Sequence, residues 1–298
     1  CEGGERKSQT LIHHPLVDRV HMTGGTTTHD AIVWGATPEL QRQNKAQGTP
    51  VLSKPMSSEL GSVTPWIVTP GTVWSTQEID HMAGHLVAAF MAQNSCNCLS
   101  PKLLVMDSDW PQCQEFLEAI RSRLCKTVTL PPHYPGTAKR YQYFIDAYPE
   151  SQLEQIHAPP HPGMAPHELG PCLPWLLIHL NEDSSSYAWK NEAFAPVLGI
   201  YTMATSNDPA QFLERAVSFV NDSVWGSLSC TLIAHPQLPS GDKSAVERAI
   251  TDLRYGSIGV NTWTAGVYGT SGLTWGAFPG EPLDQVASGR GIVRNSYA

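Results

Sequence analysis

Residues 75–106 read STQEIDHMAGHLVAAFMAQNSCNCLSPKLLVM. From residue 75 to residue 91 the apolar side chains recur at intervals of three and four, the spacing of one face of an α-helix. A short polar segment follows, and then an apolar run at residues 103–106. The pattern predicts a helix, a loop and a buried strand. It places Cys96, Asn97 and Cys98 in the loop, where a packed scaffold can fix a reactive group and still expose it.

The two cysteines have a second interpretation. Free cysteine is among the most often buried residue types, so both thiols could instead be packing residues of the core. The spacing of the two cysteines alone does not decide between a reactive and a packing thiol. The motifs elsewhere in the chain bear on that choice.

Predicted strands alternate with predicted helices along the chain, which favours an α/β fold with a parallel sheet. Residues 35–58 are polar and contain three prolines, and they are predicted to form a long surface excursion. Residues 129–172 show no sustained period apart from one helix. The predicted strands are residues 17–22, 66–68, 103–106, 173–180, 197–203, 228–234 and 257–261. The predicted helices are residues 26–34, 75–91, 110–124, 138–147, 208–220 and 245–253.

Composition excludes several classes of protein. A net charge of −8 argues against a surface that binds nucleic acid, and no apolar run is long enough to cross a bilayer. Seven unevenly spaced cysteines indicate reduced thiols and hence a reducing intracellular compartment. His157, His161 and His167 lack the nearby cysteine or carboxylate pattern of a zinc site, so no metal site is predicted.

Five further motifs surround the cysteine segment. They are residues 20–26 (VHMTGGT), 59–65 (ELGSVTP), 191–197 (NEAFAPV), 220–226 (VNDSVWG) and 256–261 (GSIGVN). In this order and at these spacings, the six segments resemble those of the aldehyde dehydrogenase superfamily, over almost the whole chain from about Gln9 to Asn295. The resemblance is closest to a divergent branch with an Asn-Cys pair in the nucleophile segment.

The resemblance implies an α/β fold of the aldehyde dehydrogenase type, with a parallel-sheet catalytic domain and a remnant of a Rossmann-type cofactor domain. The domains it implies are residues 1–58 for the cofactor-domain remnant and residues 59–260 for the catalytic domain. Residues 261–298 would return to the cofactor domain and form a C-terminal tail.

The resemblance also implies a catalytic pair. Cys98 would be the nucleophile that attacks an aldehyde, and Glu59 the general base that activates thiol or water. An ungapped alignment places Asn97 at the family's nucleophile position, whereas a deletion of one residue restores Cys98. The alternative for Glu59 is an ordinary solvated carboxylate.

The implied cofactor is NAD or NADP. Gly24 and Gly25 allow a close backbone approach to a diphosphate at a helix N-terminus, and Thr26 would supply the hydroxyl that the family has where Gly25 stands. Glu192 and Phe194 match the pair that contacts the nicotinamide ribose and ring. The alternative for Glu192 and Phe194 is an ordinary loop before a strand.

Cys1 corresponds to a point well inside the family's cofactor domain. The adenosine contacts and an oxyanion-hole asparagine would come from a longer polypeptide or another chain, and this chain alone would bind NAD poorly. An oligomer is expected, with the segment at residues 289–295 lying along the edge of another element.

Two functions remain open: an NAD(P)-dependent aldehyde oxidoreductase, or an inactive structural subunit or fragment. For the enzyme, Cys98 is predicted to be more reactive than Cys96.

Overall fold

The structure is a computed structural model that describes residues 4–132, 134–157, 159 and 172–293. Its strands are β1 (Val20–Thr23), β2 (Met56–Glu59), β3 (Pro65–Val68), β4 (Leu103–Asp107), β5 (Leu153–Ile156), β6 (Trp175–Leu180), β7 (Val197–Met203), β8 (Ser229–Ile233), β9 (Ser257–Val260) and β10 (Gly289–Arg290). Its α-helices are α1 (Gly4–Ile12), α2 (Thr26–Val33), α3 (Pro38–Gln47), α4 (Thr76–Met91), α5 (Cys113–Leu124), α6 (Thr137–Asp146), α7 (Tyr187–Lys190), α8 (Pro209–Asp222), α9 (Ser240–Asp252) and α10 (Ala265–Gly269).

The larger sheet has seven strands in the order β5-β6-β7-β4-β3-β8-β9. Every neighbouring pair is parallel except β5 with β6. Every residue of β4 and of β8 is buried, as expected of strands covered on both faces. The predicted α/β fold with a parallel sheet is therefore confirmed.

Helices cover both faces of this sheet. Side chains alternate between the faces along each strand, so Trp66 packs with α4 and α5 on one face. The next residue, Ile67, packs with α6, α8 and α9 on the other. These two layers form the core that holds the loops at the sheet edge in place.

The smaller sheet has the order β1-β2-β10. β1 pairs with β2 in parallel, and β10 pairs with β2 antiparallel. Gly289 has a φ of 123°, and a Cβ there would overlap the backbone of Ser58, so this close approach requires glycine. The predicted docking of the C-terminal segment along an edge is confirmed for Gly289 and Arg290, while Arg294 and Asn295 lie outside the described residues.

One prediction about the N-terminal region is wrong. The predicted buried strand at residues 17–22 is β1, which begins only at Val20 and alternates between half-buried and exposed residues. The stretch at residues 35–58 lies largely on the surface, as predicted, and it contains α3 and the first three residues of β2. Three features mark the ends of α3. The Thr37 side chain caps its start by accepting from the Leu40 N–H at 3.3 Å, a proline lies in its first turn, and Gly48 adopts the left-handed conformation at its end.

The other predicted elements are present with shifts at their ends. α4 begins at a capping box formed by Ser75 and Glu78, and α8 begins after Asp208 as predicted. The helix predicted from residue 110 begins at Cys113, and β5 lies in a stretch predicted to be irregular. The predicted domain boundary between residues 58 and 59 falls inside β2, and the domain division stays a prediction.

No helix among the described residues is long and apolar enough to cross a membrane.

Candidate active site

The candidate site lies at the N-terminal edge of the larger sheet. Cys98 precedes β4, Glu192 and Phe194 precede β7, and Glu59 lies shortly before β3. These three strands are parallel neighbours, so their N-terminal ends meet at one edge. The topology therefore brings together side chains that are far apart in the sequence.

The segment that leads into the cysteines has an unusual backbone. Gln93, Asn94 and Ser95 have φ values of 54°, 55° and 60°. The left-handed conformation costs a residue other than glycine roughly 1–2 kcal/mol. The surroundings must offset that cost, and one contact that does so is the hydrogen bond from the Asn94 side-chain amide to the Leu130 carbonyl at 3.0 Å.

Asn97 holds the cysteine loop together from within. Its side-chain carbonyl accepts the N–H groups of Leu99 and Ser100 at 2.9 and 2.8 Å. Its amide donates to the Ala92 carbonyl at 3.0 Å and to the Ser100 hydroxyl at 2.6 Å. The carboxamide is thus fully used in shaping the turn that carries Cys98.

Cys98 and Glu59 are in contact. The Cys98 Sγ lies 3.5 Å from Glu59 Oε1, and Glu59 is only 4% exposed. Burial raises the pKa of the Cys98 thiol well above its usual range, and the negative charges of Glu59 and Glu192 raise that pKa further. At neutral pH the resting sulfur is a protonated thiol, with a carboxylate placed to accept its proton.

The second thiol points elsewhere. Cys96 is buried, and its Sγ lies 3.3 Å from the Phe194 carbonyl and 3.6 Å from the Thr137 hydroxyl. Cys98 is only partly buried. The two cysteines therefore occupy different environments, of which only the Cys98 environment contains a carboxylate in contact with sulfur.

Glu192 and Phe194 lie in the loop before β7. The Ser62 N–H donates to Glu192 Oε1 at 3.2 Å, and a Cβ at Gly61 would overlap the other carboxylate oxygen. Burial raises the pKa of the Glu192 carboxyl, while the Lys102 charge opposes that rise. Phe194 has a φ of 44°, so this loop is also held in a strained conformation.

Two cations near this loop were not anticipated from the sequence. Lys102 is 3% exposed and lies between the two strained loops. Arg140 donates to the carbonyls of Ala193 and Phe194 at 3.0 and 3.2 Å. One feature of the sequence could have indicated Lys102: it is a charged residue directly before the apolar run of β4. Arg140 has no such feature, because it belongs to an ordinary amphipathic helix.

The predicted cofactor turn adopts the predicted strand-turn-helix geometry. Gly24 follows β1, Gly25 is the residue before α2, and Thr26 is its first residue. The Gly24 N–H donates to the Glu59 carbonyl at 3.0 Å, which ties the turn to the strand that carries the catalytic candidate. The turn is exposed, and a Cβ at Gly25 would meet nothing. The backbone here leaves room for a phosphate at a helix N-terminus.

In the described part of the chain, no three His, Cys, Asp or Glu side chains are grouped closely enough to hold a metal ion. Of the histidines considered for a metal, His161 and His167 lie outside the described residues.

The chain belongs to the aldehyde dehydrogenase family, whose sequence profile matches residues 1–274. The predicted family membership is thereby confirmed. A comparison with curated proteins found no match.

Solved structures of aldehyde dehydrogenases share the fold. NAD-dependent aldehyde dehydrogenase from Sinorhizobium meliloti superposes with a TM-score of 0.68 at 19% identity, covering 97% of this chain and 50% of that one. NADP-dependent glyceraldehyde-3-phosphate dehydrogenase from Bacillus halodurans C-125, complexed with NADP, gives 0.66 at 17% identity, covering 96% and 51%. Gamma-glutamyl-gamma-aminobutyraldehyde dehydrogenase from Burkholderia cenocepacia J2315 gives 0.66 at 20% identity, covering 96% and 50%. The chain thus spans about half the length of the structures it matches.

Proposed function

We propose that this chain carries the reactive thiol of an NAD(P)-dependent aldehyde oxidoreductase. The observation that supports it most directly is the 3.5 Å contact between Cys98 Sγ and the buried carboxylate of Glu59. Of the two candidates in the cysteine loop, Cys98 has the chemistry of a nucleophile. Asn97 is a positioning residue in this proposal, because its carboxamide is used in the loop.

The proposed reaction begins with a proton transfer from the Cys98 thiol to Glu59. The sulfur attacks the aldehyde carbon, and the carbonyl π electrons move to oxygen to give a thiohemiacetal. A bound nicotinamide would supply the hydride acceptor for that carbon, and Cys98 would then hold the substrate as an acyl thioester. Glu59 releases the thiol proton to solvent and, as a carboxylate again, takes a proton from the water that attacks the thioester. The acid leaves and the sulfur is protonated again.

The residues of the predicted cofactor site fit this role. The backbone of Gly24 and Gly25 at the start of α2 would hold a phosphate. Glu192 lies at the same sheet edge as Cys98 and would accept hydrogen bonds from ribose hydroxyls, with Phe194 beside it against the ring. Adenosine would need contacts beyond this turn, so we expect this chain alone to bind NAD(P) only weakly. Titration calorimetry on the purified chain measures this, and micromolar affinity would contradict it.

The partners in this proposal are a small-molecule aldehyde and further copies of this or another chain. An oligomer, or a second chain that completes the cofactor site, is part of the same proposal. Light scattering on the purified chain tests association directly, and a monomer mass at all concentrations would contradict it.

The nucleophile is tested with two matched variants, Cys98→Ser and Cys96→Ser. An activated ester such as p-nitrophenyl acetate acylates a reactive thiol without any nicotinamide, and an aldehyde with NAD or NADP tests the whole reaction. We expect Cys98→Ser to lose acylation by about 1,000-fold or more and Cys96→Ser to retain it. Acylation that persists in Cys98→Ser would overturn the assignment. A wild-type chain acylated at neither thiol would favour the inactive subunit.

A further inference from the structure

Lys102 is a buried cation that the proposed reaction does not use. It is 3% exposed, and its backbone is fixed on both sides: its N–H donates to the Thr64 carbonyl and its carbonyl accepts from the Gly199 N–H, both at 3.0 Å. A buried ammonium is costly unless it is paired and hydrogen-bonded. The placement of its Nζ therefore needs an explanation.

The Lys102 side chain is bonded to the strained turn before the cysteines. Its Nζ donates to the Ser95 carbonyl at 2.5 Å and to the Ser95 hydroxyl at 2.9 Å. Ser95 is the last of the three consecutive left-handed residues, and Cys96 follows it directly. Two charge-assisted hydrogen bonds from a rigid strand end thus hold the turn that sets the direction of the cysteine loop.

The same ammonium faces the loop before β7. It lies 6.0 Å from the centre of the Phe194 ring, and Glu192 is the nearby charge that favours its protonated form. Lys102 therefore connects the nucleophile loop to the loop of the proposed cofactor contacts. Each of these loops is strained, so neither is expected to keep its conformation alone.

We propose that Lys102 is a positioning residue that fastens the Ser95 turn and supplies the positive charge against which Cys98 ionises. This inference rests on the proposed function only for its catalytic consequence. Its effect on the thiol can be measured without an aldehyde or a cofactor.

The charges around the thiol give the direction of the effect. Glu59 on β2 and Glu192 before β7 both oppose a thiolate at Cys98. A negative charge at Cys98 raises the pKa of Lys102, and because such coupling is reciprocal, the Lys102 ammonium favours that thiolate. Cys96 on the same loop and Arg140 on α6 are the other titratable groups that face Lys102. Burial lowers the pKa of Lys102 to about 8, and Glu192 opposes that fall. The ammonium is thus mostly present at neutral pH and is lost as the pH rises through this value.

The first experiment follows the rate of iodoacetamide alkylation of Cys98, located by mass spectrometry, as a function of pH. In the wild-type chain the logarithm of this rate should rise with pH and flatten as Lys102 loses its charge. In Lys102→Arg it should rise without flattening, because a guanidinium keeps its proton. A Lys102→Arg profile that flattens like that of the wild type would overturn the proposal.

The second experiment removes the charge with Lys102→Met, and Lys126→Met on the exposed surface is its matched control. We expect alkylation of Cys98 at neutral pH to fall about tenfold, as for a thiol pKa raised by one unit, and labelling of Cys96 to increase as the turn relaxes. Circular dichroism checks that each variant is folded. A folded Lys102→Met chain with wild-type labelling at both cysteines would contradict the proposal. Should this variant not fold, the Lys102→Arg profile still decides.

Discussion

At the scale of single residues, the contact between Cys98 and Glu59 leads us to expect that one substitution speeds alkylation of the thiol and stops acyl turnover. Glu59→Gln removes a negative charge beside the thiol, which lowers the thiol pKa, so alkylation of Cys98 at neutral pH should become faster, by about tenfold for each unit. The same change should abolish acyl turnover, because a carboxamide does not accept the proton. Alkylation and ester turnover are measured on one preparation. Slower alkylation in Glu59→Gln would show that the carboxylate activates the resting thiol instead.

The second prediction at this scale concerns the contribution of the Asn97 side chain to stability. Asn97→Ala leaves the Ala92 carbonyl and the N–H groups of Leu99 and Ser100 without their partner. We expect a loss of roughly 1–3 kcal/mol in the free energy of unfolding, measured by urea denaturation. Labelling should become less selective for Cys98 over Cys96. Asn97→Asp, which keeps both acceptor bonds, is the control and should lose less.

The sequence predicts only those residues of the candidate site that combine a reactive side chain with a recognisable motif around it. Cys98 and Glu59 stand in short motifs at recognisable spacings, so both could be named in advance. Lys102 could not, because its role depends on the left-handed turn at Ser95 and on the approach of the loop before β7. Neither contact leaves a periodic pattern in the sequence.

At the scale of elements, the contribution of one helix cap to the free energy of unfolding can be measured with a single substitution. The Asp208 carboxylate accepts the N–H groups of Ala210 and Gln211 at 2.9 and 3.1 Å at the start of α8. Asp208→Ala should lower the free energy of unfolding by about 1 kcal/mol. Glu214→Ala, an exposed change on the same helix, is the control. Equal losses in the two variants would show that the cap contributes nothing specific.

The elements that were predicted correctly are those with strong local signals. α4 has a wide apolar stripe and a capping box, so its existence and its start are encoded in its own residues. β5 has polar Glu154 and Gln155 at its centre, and within the described residues it pairs with β6 alone. Glu154 is held by Arg121 at 2.7 Å and His179 at 2.8 Å, which come from distant parts of the chain. An edge strand stabilised in this way has no signal that local reading detects.

At the scale of the whole molecule, the protonation of buried groups sets how stability depends on pH. Burial raises the pKa of Cys230 and Tyr255 far above the ordinary values of 9.0 and 10.0, and raises that of Cys113 to about 11. These groups keep their protons in the folded protein while the unfolded chain releases them. Their contribution is complete below the ordinary pKa values and is lost as the pH rises above them. Lys102 acts in the opposite direction between about 8 and 10.5, but it is one group against several.

We therefore expect the free energy of unfolding to fall as the pH rises above about 9, by about 1.4 kcal/mol per pH unit for each group that ionises only in the unfolded chain. Urea denaturation under reducing conditions at a series of alkaline pH values measures the slope. Cys230 is fully buried on β8, so Cys230→Ala removes one such group and should make the slope shallower, although this variant starts from a lower stability because it leaves a small cavity. Cys125 is exposed, and Cys125→Ala should leave the slope as it is. A free energy of unfolding that stays level or rises over this range would show that the buried thiols and phenols do not control the alkaline stability.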